Sequence, residues 1–246
     1  HLAQIIRSTT PDSPFLSTLM PLHPGGSKPP LFFVHPGGGT VLSYLELARN
    51  LDPDQPVYGL ESLDLDEEQT LHNKVEDMAA YYIQVMQTVQ SQGPYQIGGW
   101  SFGGLVAFEI AQQLQAQGQS VSTVVLLDTS PLTEYEELNE ADDVDFLEEL
   151  LARKNGAILG IPPELNVVQA QRLLQVFKGH ILAANDYNPQ PYGGKVDLFL
   201  AEGGIASDSL EAIAGWQKLA TAGVDVHWIP GDHHTMVTKP NVLFLA

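Results

Sequence analysis

The chain contains 246 residues, of which 43% are hydrophobic and 17% charged, so it is neither a disordered polymer nor a fibrous repeat. It has no cysteine, which excludes disulfide bonds, thiolate zinc sites and a cysteine nucleophile. Its formal net charge of −19 argues against binding to nucleic acid or to anionic membranes.

The start of the chain has the composition of a linker. Residues 1–30 are rich in Pro, Ser, Thr and Gly, with an edge strand expected near Phe15–Leu22. We therefore expect a linker over residues 1–16 and a folded domain over residues 17–246. There is no membrane-length apolar run and no signal-peptide pattern after His1, so we expect a soluble cytoplasmic fragment of a longer protein.

Short apolar runs alternate with helix-length amphipathic segments from residue 31 onward. This alternation predicts an α/β fold with a mainly parallel central sheet and helices on both faces. The predicted strands are Leu31–His35, Pro56–Leu60, Tyr95–Trp100, Thr123–Leu127, Val196–Ala201 and Val224–Ile229. The predicted helices of this pattern are Val41–Asn50, Val75–Gln90, Phe102–Gln117 and Leu210–Ala222.

One stretch, residues 130–190, interrupts the alternation because it contains no strand-like run. Two helical patterns occupy it, at Val144–Lys154 and Val167–Ala184. A long insertion between two strands is usually functional, so we expect a helical lid over a site. The acidic run Glu134–Glu149 is typical of a solvated helix face, and a partner-binding surface is the alternative.

A G-x-S-x-G motif spans residues 99–103, with Ser101 at its centre. It follows a predicted strand and begins a predicted helix, which is the context of a nucleophile elbow. The glycines permit the tight turn that lifts the serine hydroxyl above the sheet. The motif therefore predicts that Ser101 is a catalytic nucleophile.

A catalytic serine needs a base and an acid that orients the base. The base is predicted to be His233, in the loop after the last strand, with the neighbouring His234 as a wall or surface residue. Two acids fit the chain order Ser, acid, His of an α/β-hydrolase, namely Asp128 and Glu202. Each ends a predicted strand, so local pattern alone leaves the choice between them open.

A glycine-rich loop, residues 35–39, follows the first predicted strand of the alternating pattern. Hydrolases place one backbone donor of the oxyanion hole in such a loop, and the other is the amide after the nucleophile, here Phe102. A phosphate-binding loop is the rival interpretation. It is disfavoured because neither phosphate-loop glycine pattern fits and no lysine lies nearby.

Together, these motifs resemble type I thioesterase domains, which terminate nonribosomal peptide synthetases and polyketide synthases. The resemblance covers roughly residues 17–245. It implies that Asp128 is the acid, that the Gly37 and Phe102 amides form the oxyanion hole, and that the 130–190 insertion is the lid of a product chamber. The runs that carry it are Leu31–Gly39, Gly98–Gly104, Ala107–Ala111, Leu126–Pro131 and Gly231–His233.

The reaction that this resemblance implies is acyl transfer from a carrier protein. An acyl or peptidyl chain arrives as a 4′-phosphopantetheine thioester, passes to Ser101, and leaves by hydrolysis or macrocyclisation. No metal or bound cofactor is expected. The lid residues expected to line this chamber are Phe146, Leu150, Phe177 and Ile181.

The expected partner is an upstream acyl or peptidyl carrier domain in cis. Carrier domains of such synthases are usually acidic, so a chain of charge −19 gains no electrostatic steering toward one, whereas a covalent linker supplies proximity. The alternatives are a stand-alone editing (type II) thioesterase, a generic serine esterase and a non-enzymatic docking module. The complete set of Ser101, Asp128 and His233 argues against the docking module.

Overall fold

The computed structural model describes residues 18–63, 74–131, 167–204 and 206–246. None of the helices in these ranges has both the length and the hydropathy needed to span a bilayer. The strands are β1 (Leu19–His23), β2 (Leu31–Val34), β3 (Val57–Leu60), β4 (Tyr95–Trp100), β5 (Val121–Leu127), β6 (Val196–Ala201) and β7 (Val224–Ile229). The helices are α1 (Leu45–Asn50), α2 (Val75–Gln87), α3 (Phe102–Ala116), α4 (Val167–Asp186) and α5 (Ala206–Leu219).

The strands form one seven-stranded sheet in the order β1-β3-β2-β4-β5-β6-β7. Strand β1 runs antiparallel to β3, and all other neighbouring strands are parallel. The expected edge strand is therefore present as β1. The predicted mainly parallel sheet is confirmed.

Both faces of the sheet are covered, as the alternating side chains of β2 make clear. Phe32 and Val34 pack in a hydrophobic cluster with residues of α2, α3 and α5. Leu31 and Phe33 pack in a second cluster with residues of α1 and of the C-terminal segment, Val242 among them. All four residues of β2 are buried, as expected for a parallel strand between two layers.

Two predicted helices differ in detail from the observed ones. The helix predicted at Leu210–Ala222 is α5, which begins and ends earlier, at Ala206–Leu219. The predicted helix Val41–Asn50 begins as a 3-10 turn at Leu42–Tyr44, where the Tyr44 amide bonds the Val41 carbonyl at 3.0 Å. Helix α4 coincides with the second helical pattern of the predicted lid. The first pattern, Val144–Lys154, lies outside the described residues, as do Phe146, Leu150, the acidic run Glu134–Glu149 and the linker 1–16.

The parallel strands bring the predicted functional residues to one edge of the sheet. Ser101 follows β4, Asp128 follows β5 and Glu202 follows β6, while His233 lies in the loop after β7. The glycine-rich loop 35–39 follows β2. Carboxyl ends of parallel strands share one edge, and open α/β sheets bind their ligands there.

Candidate active site

Ser101 occupies a strained turn between β4 and α3. Its backbone has φ 56° and ψ −127°, a conformation that costs free energy in a residue with a side chain and is concentrated at functional sites. The turn is closed by the Ser101 amide, which donates to the Leu127 carbonyl at 2.9 Å. The nucleophile position is thereby joined directly to the end of strand β5.

The glycines around Ser101 are required by close backbone contacts. A Cβ atom on Gly99 would lie 2.1 Å from the Gly103 carbonyl oxygen. A Cβ atom on Gly103 would lie 2.5 Å from the carbonyl oxygens of Val34 and His35. The G-x-S-x-G pattern therefore reflects two contacts that any larger residue would break.

Asp128 lies beside the serine turn, at the end of β5. Its backbone also has a positive φ, 46°, and its amide donates to the Phe199 carbonyl at 2.7 Å. The carboxylate accepts the Ala201 amide at Oδ1, at 3.0 Å, and faces His233 Nδ1 at Oδ2, at 2.7 Å. Because a carboxylate only accepts, Nδ1 of His233 carries the hydrogen and donates it.

The geometry therefore separates the two candidate acids. Asp128 has a largely covered side chain, 19% exposed, in contact with the His233 ring. Glu202 is exposed, and its backbone amide donates to the Ile229 carbonyl at 2.9 Å. Asp128, rather than Glu202, is the strand-end carboxylate that contacts His233.

The loop that carries His233 is held by its neighbour Asp232. One oxygen of this carboxylate, Oδ1, accepts the amides of His234 at 3.0 Å and Thr235 at 2.9 Å, together with the Thr235 hydroxyl at 2.9 Å. These hydrogen bonds from Thr235 and, more weakly, His234 hold the pKa of Asp232 below its usual range. The His233 ring packs against Trp100, with ring centroids 5.2 Å apart, and His234 is exposed.

The predicted oxyanion loop and the described part of the predicted lid meet above Ser101. One pocket is lined by Gly37, Ser101, Phe102, Phe177, His180, Ile181 and Ala184. A Cβ atom on Gly37 would lie 2.8 Å from the Phe177 ring, so α4 packs directly on the glycine-rich loop. Four of the predicted site residues other than Ser101 thus share its pocket.

Sequence reasoning missed two residues of this region. His180, assigned only to the lid, donates from Nδ1 to the Gly37 carbonyl oxygen at 2.7 Å. Tyr44 donates its hydroxyl hydrogen to the Val34 carbonyl at 2.7 Å and accepts the Trp100 amide at 2.8 Å. Neither residue belongs to a motif, because both act through contacts between distant parts of the chain.

Comparison with protein families identifies the family to which the chain belongs. The family model of the thioesterase domain covers residues 29–244, which is most of the chain. The chain belongs to the thioesterase domain family. Thioesterases are hydrolases, so the expectation of a hydrolytic enzyme is confirmed.

Relatives of this thioesterase domain are much longer proteins. It is 45% identical over 138 residues to a dimodular nonribosomal peptide synthase of Bacillus subtilis (strain 168), with 56% of this chain and 6% of that protein covered. It is 29% identical over 226 residues to malpibaldin synthetase of Mortierella alpina, covering 89% of this chain and 4% of that protein. A non-reducing polyketide synthase of Cladonia grayi is 28% identical over 276 residues, covering 98% of this chain and 13% of that protein. The thioesterase domain thus spans a small part of each relative.

Solved structures share the fold. A four-domain nonribosomal peptide synthetase bound to AMP and glycine matches with a TM-score of 0.82 and 28% identity, covering 99% of this chain and 20% of that chain. The NocB thioesterase domain, in a covalent complex with a fluorophosphonate nocardicin G analog, matches with a TM-score of 0.73 and 25% identity, covering 92% of this chain and 95% of that chain. The predicted α/β-hydrolase fold is confirmed.

Proposed function

We propose that this thioesterase domain releases an acyl or peptidyl chain from a carrier-bound 4′-phosphopantetheine thioester. Ser101 is the nucleophile, His233 the general base and Asp128 the acid that orients His233. The main support for this proposal is the 2.7 Å hydrogen bond between His233 and Asp128. It lies at the same edge of the sheet as Ser101, whose backbone has a positive φ. Membership of the thioesterase family supports the same reaction.

The first half-reaction forms an acyl-enzyme. The Ser101 hydroxyl attacks the thioester carbonyl while Nε2 of His233 takes its proton, and Asp128 stabilises the resulting imidazolium. The tetrahedral oxyanion accepts hydrogen bonds from the backbone amides of Gly37 and Phe102. When it collapses, the carbon–sulfur bond breaks and the pantetheine sulfur takes the proton from His233. The products are an ester on Ser101 and a free thiol on the carrier.

The second half-reaction removes the acyl group from Ser101. His233 deprotonates a water molecule, or a hydroxyl or amine within the acyl chain, and this nucleophile attacks the ester carbonyl. The same two amides stabilise the second oxyanion, and His233 returns the proton to the Ser101 oxygen. Water gives a linear acid, and an internal nucleophile gives a ring. Because Phe177, Ile181 and Ala184 line the pocket beside Ser101, we expect the acyl substrate to have an apolar portion next to its carbonyl.

The donor in this proposal is an acyl or peptidyl carrier domain joined in cis through the linker over residues 1–16. The B. subtilis relative is a synthase of which this chain spans only 6%, which supports a place within a larger enzyme. The phosphopantetheine arm is thus part of the substrate and is not a resident cofactor of this domain.

Intact-protein mass spectrometry after mixing with a panel of acyl-pantetheine thioesters tests the proposal. We expect an acyl adduct on the wild type and none on Ser101→Ala. The released product then separates the two outcomes, because a linear acid is one water heavier than the corresponding ring. Turnover of oxygen esters without any thioester adduct would favour a generic esterase. If the protein forms no acyl adduct and turns over neither thioesters nor oxygen esters, an enzymatic function is overturned.

A further inference from the structure

His180 contacts both halves of the proposed oxyanion hole from helix α4. It is 1% exposed and lines the same pocket as Ser101. Its Nδ1 atom lies 2.7 Å from the Gly37 carbonyl oxygen. A carbonyl oxygen only accepts, so Nδ1 donates and the imidazole is held in the orientation that this bond requires.

The His180 ring also stacks on the residue that provides the other proposed donor. Its centroid lies 4.6 Å from that of the Phe102 ring, with 13° between the planes. On the loop side it stacks on His35, with centroids 4.8 Å apart. One side chain from the lid region therefore contacts the loop after β2 and the first residue of α3.

Such contacts matter because the loop they restrain is rich in glycine. Glycine leaves the backbone free to rotate, whereas an oxyanion hole acts through donors that are already oriented when charge develops. The hydrogen bond to the Gly37 carbonyl restrains the Gly37–Gly38 peptide, and the Phe177 ring closes the space above Gly37. The Gly37 amide belongs to the preceding peptide, whose Pro36 carbonyl accepts the Gly39 amide at 2.9 Å and Nδ1 of His35 at 2.8 Å, and His180 stacks on that His35 ring. The loop is thus held against α4 at the residue whose amide is needed.

We propose that His180 is a positioning residue that orients the Gly37 amide toward the oxyanion and couples helix α4 to the chemistry at Ser101. The proposal rests on the proposed function, since it assumes that Gly37 and Phe102 donate to the oxyanion. His180 itself needs no contact with the reacting atoms. Its effect falls on the transition state, and substrate binding is left nearly unchanged.

Two substitutions separate the hydrogen bond from the ring packing. His180→Asn retains a donor near the position of Nδ1, and His180→Phe retains an aromatic ring but has no donor. Leu182→Ala, at a residue of the same helix that is 45% exposed, is the matched control. Thermal unfolding of each variant measures whether the fold is preserved.

The assay uses octanoyl-pantetheine as substrate and an alkyl trifluoromethyl ketone of the same chain length as inhibitor. The ketone forms a tetrahedral adduct on the serine and so needs the same donors. Removing a direct oxyanion donor costs about 100- to 1000-fold in kcat, so we expect a smaller loss of about 10- to 100-fold for His180→Phe, which acts through Gly37. Its KM should stay within about twofold, and its affinity for the ketone should fall by the same factor as kcat/KM.

His180→Asn should recover most of the activity, and Leu182→Ala should match the wild type. Equal losses in His180→Asn and His180→Phe, or a loss of kcat without loss of ketone affinity, would overturn the positioning role. A His180→Phe variant as active as the wild type would do the same. Failure of the wild type itself to acylate Ser101 would instead overturn the proposed function, and the inference with it.

Discussion

Two residues in the described ranges combine a side chain with a positive φ, and both belong to the proposed triad. Ser101 has φ 56° and Asp128 has φ 46°. Aspartate tolerates this region better than most residues, whereas serine has no such advantage. The strain at both positions is held by hydrogen bonds across the strand ends, from Ser101 to Leu127 and from Asp128 to Phe199. Backbone strain at these two residues is expected if it orients reactive side chains, because such strain is concentrated at active sites.

Replacing the acid should reduce turnover and leave the fold intact. An Asn at position 128 keeps the shape of the side chain but favours the wrong histidine tautomer, so Asp128→Asn should lower kcat by about four orders of magnitude. Glu202→Gln is the control, because Glu202 is exposed. Steady-state hydrolysis of an acyl-pantetheine measures both. A severe loss in Glu202→Gln with a mild one in Asp128→Asn would reverse the assignment of the acid.

The turn at Asp232 should give a pH-dependent contribution to stability. Hydrogen bonds from Thr235 lower the pKa of this carboxyl in the folded state, so its charge stabilises the fold above the ordinary carboxyl pKa. That contribution disappears as pH falls through the lowered pKa. The difference in urea midpoint between the wild type and Asp232→Asn should therefore be largest near pH 6 and vanish at strongly acidic pH. Gln217→Asn, at an exposed residue that does not titrate, is the control and should show no such trend.

At the scale of elements, the ends of β2 and β4 are joined through a side chain. The buried Tyr44 hydroxyl lies between the Val34 carbonyl and the Trp100 amide, where adjacent parallel strands would otherwise bond directly. Burial raises the pKa of Tyr44 well above its ordinary value, so the hydroxyl keeps its proton and can donate. The Tyr44 hydroxyl thus bridges the two strand ends that precede the glycine-rich loop and Ser101.

Removing this hydroxyl should destabilise the protein. Tyr44→Phe leaves a buried carbonyl and a buried amide without their partner, at about 1–3 kcal/mol for each group left unpaired. Urea unfolding measures the loss. Tyr58→Phe is the matched control, because Tyr58 is half-buried and packs through its ring on Phe32. Equal midpoints for the two variants would contradict the bridging role of Tyr44.

The elements that could be predicted from sequence are those with local signals. Strand β4, the elbow at Ser101 and helix α3 follow one another with a glycine pattern that only a tight turn explains. Asp128 and Glu202 could not be separated in this way, because each ends a strand and the two strands are neighbours in the sheet. Their difference lies in which carboxylate reaches His233, a residue 105 positions beyond Asp128.

The contacts that sequence reasoning missed are long-range in the chain. His180 and Gly37 are 143 residues apart, and Tyr44 and Trp100 are 56 apart. In an amphipathic segment, the sequence alone does not tell whether a single histidine or tyrosine lies in the core, on the surface or at a site. That depends on how the segment packs. The hydrophobic periodicity predicts that α4 exists, but its contact with the glycine-rich loop depends on the assembled sheet.

At the scale of the whole molecule, the charge of −19 bears on the encounter with a carrier domain. Two acidic surfaces repel each other, whereas a short tether holds the carrier at an effective concentration on the order of millimolar. We therefore expect the proposed linker over residues 1–16 to contribute to the rate of acylation and not to the chemistry itself.

Comparing fused and detached carriers tests this expectation. At micromolar concentration, an acyl-carrier fused through residues 1–16 should acylate Ser101 much faster than the same carrier added separately. Added salt should narrow the gap, since it screens the repulsion between acidic surfaces. Single-turnover acylation by rapid quench gives both rates. A detached carrier that reacts as fast as the fused one, at high dilution, would contradict a role in cis.

The contact between α4 and the glycine-rich loop sets a boundary for protein engineering. Exchanging the whole 130–190 insertion to obtain a different product would also replace His180 and Phe177, and with them the support of the Gly37 loop. An exchange that stops before Val167 keeps α4, so it should alter the proposed product chamber while retaining the contacts of His180 and Phe177 with Gly37. Chimaeras that keep α4 and chimaeras that replace it should therefore differ in turnover, even when both accept the same acyl chain.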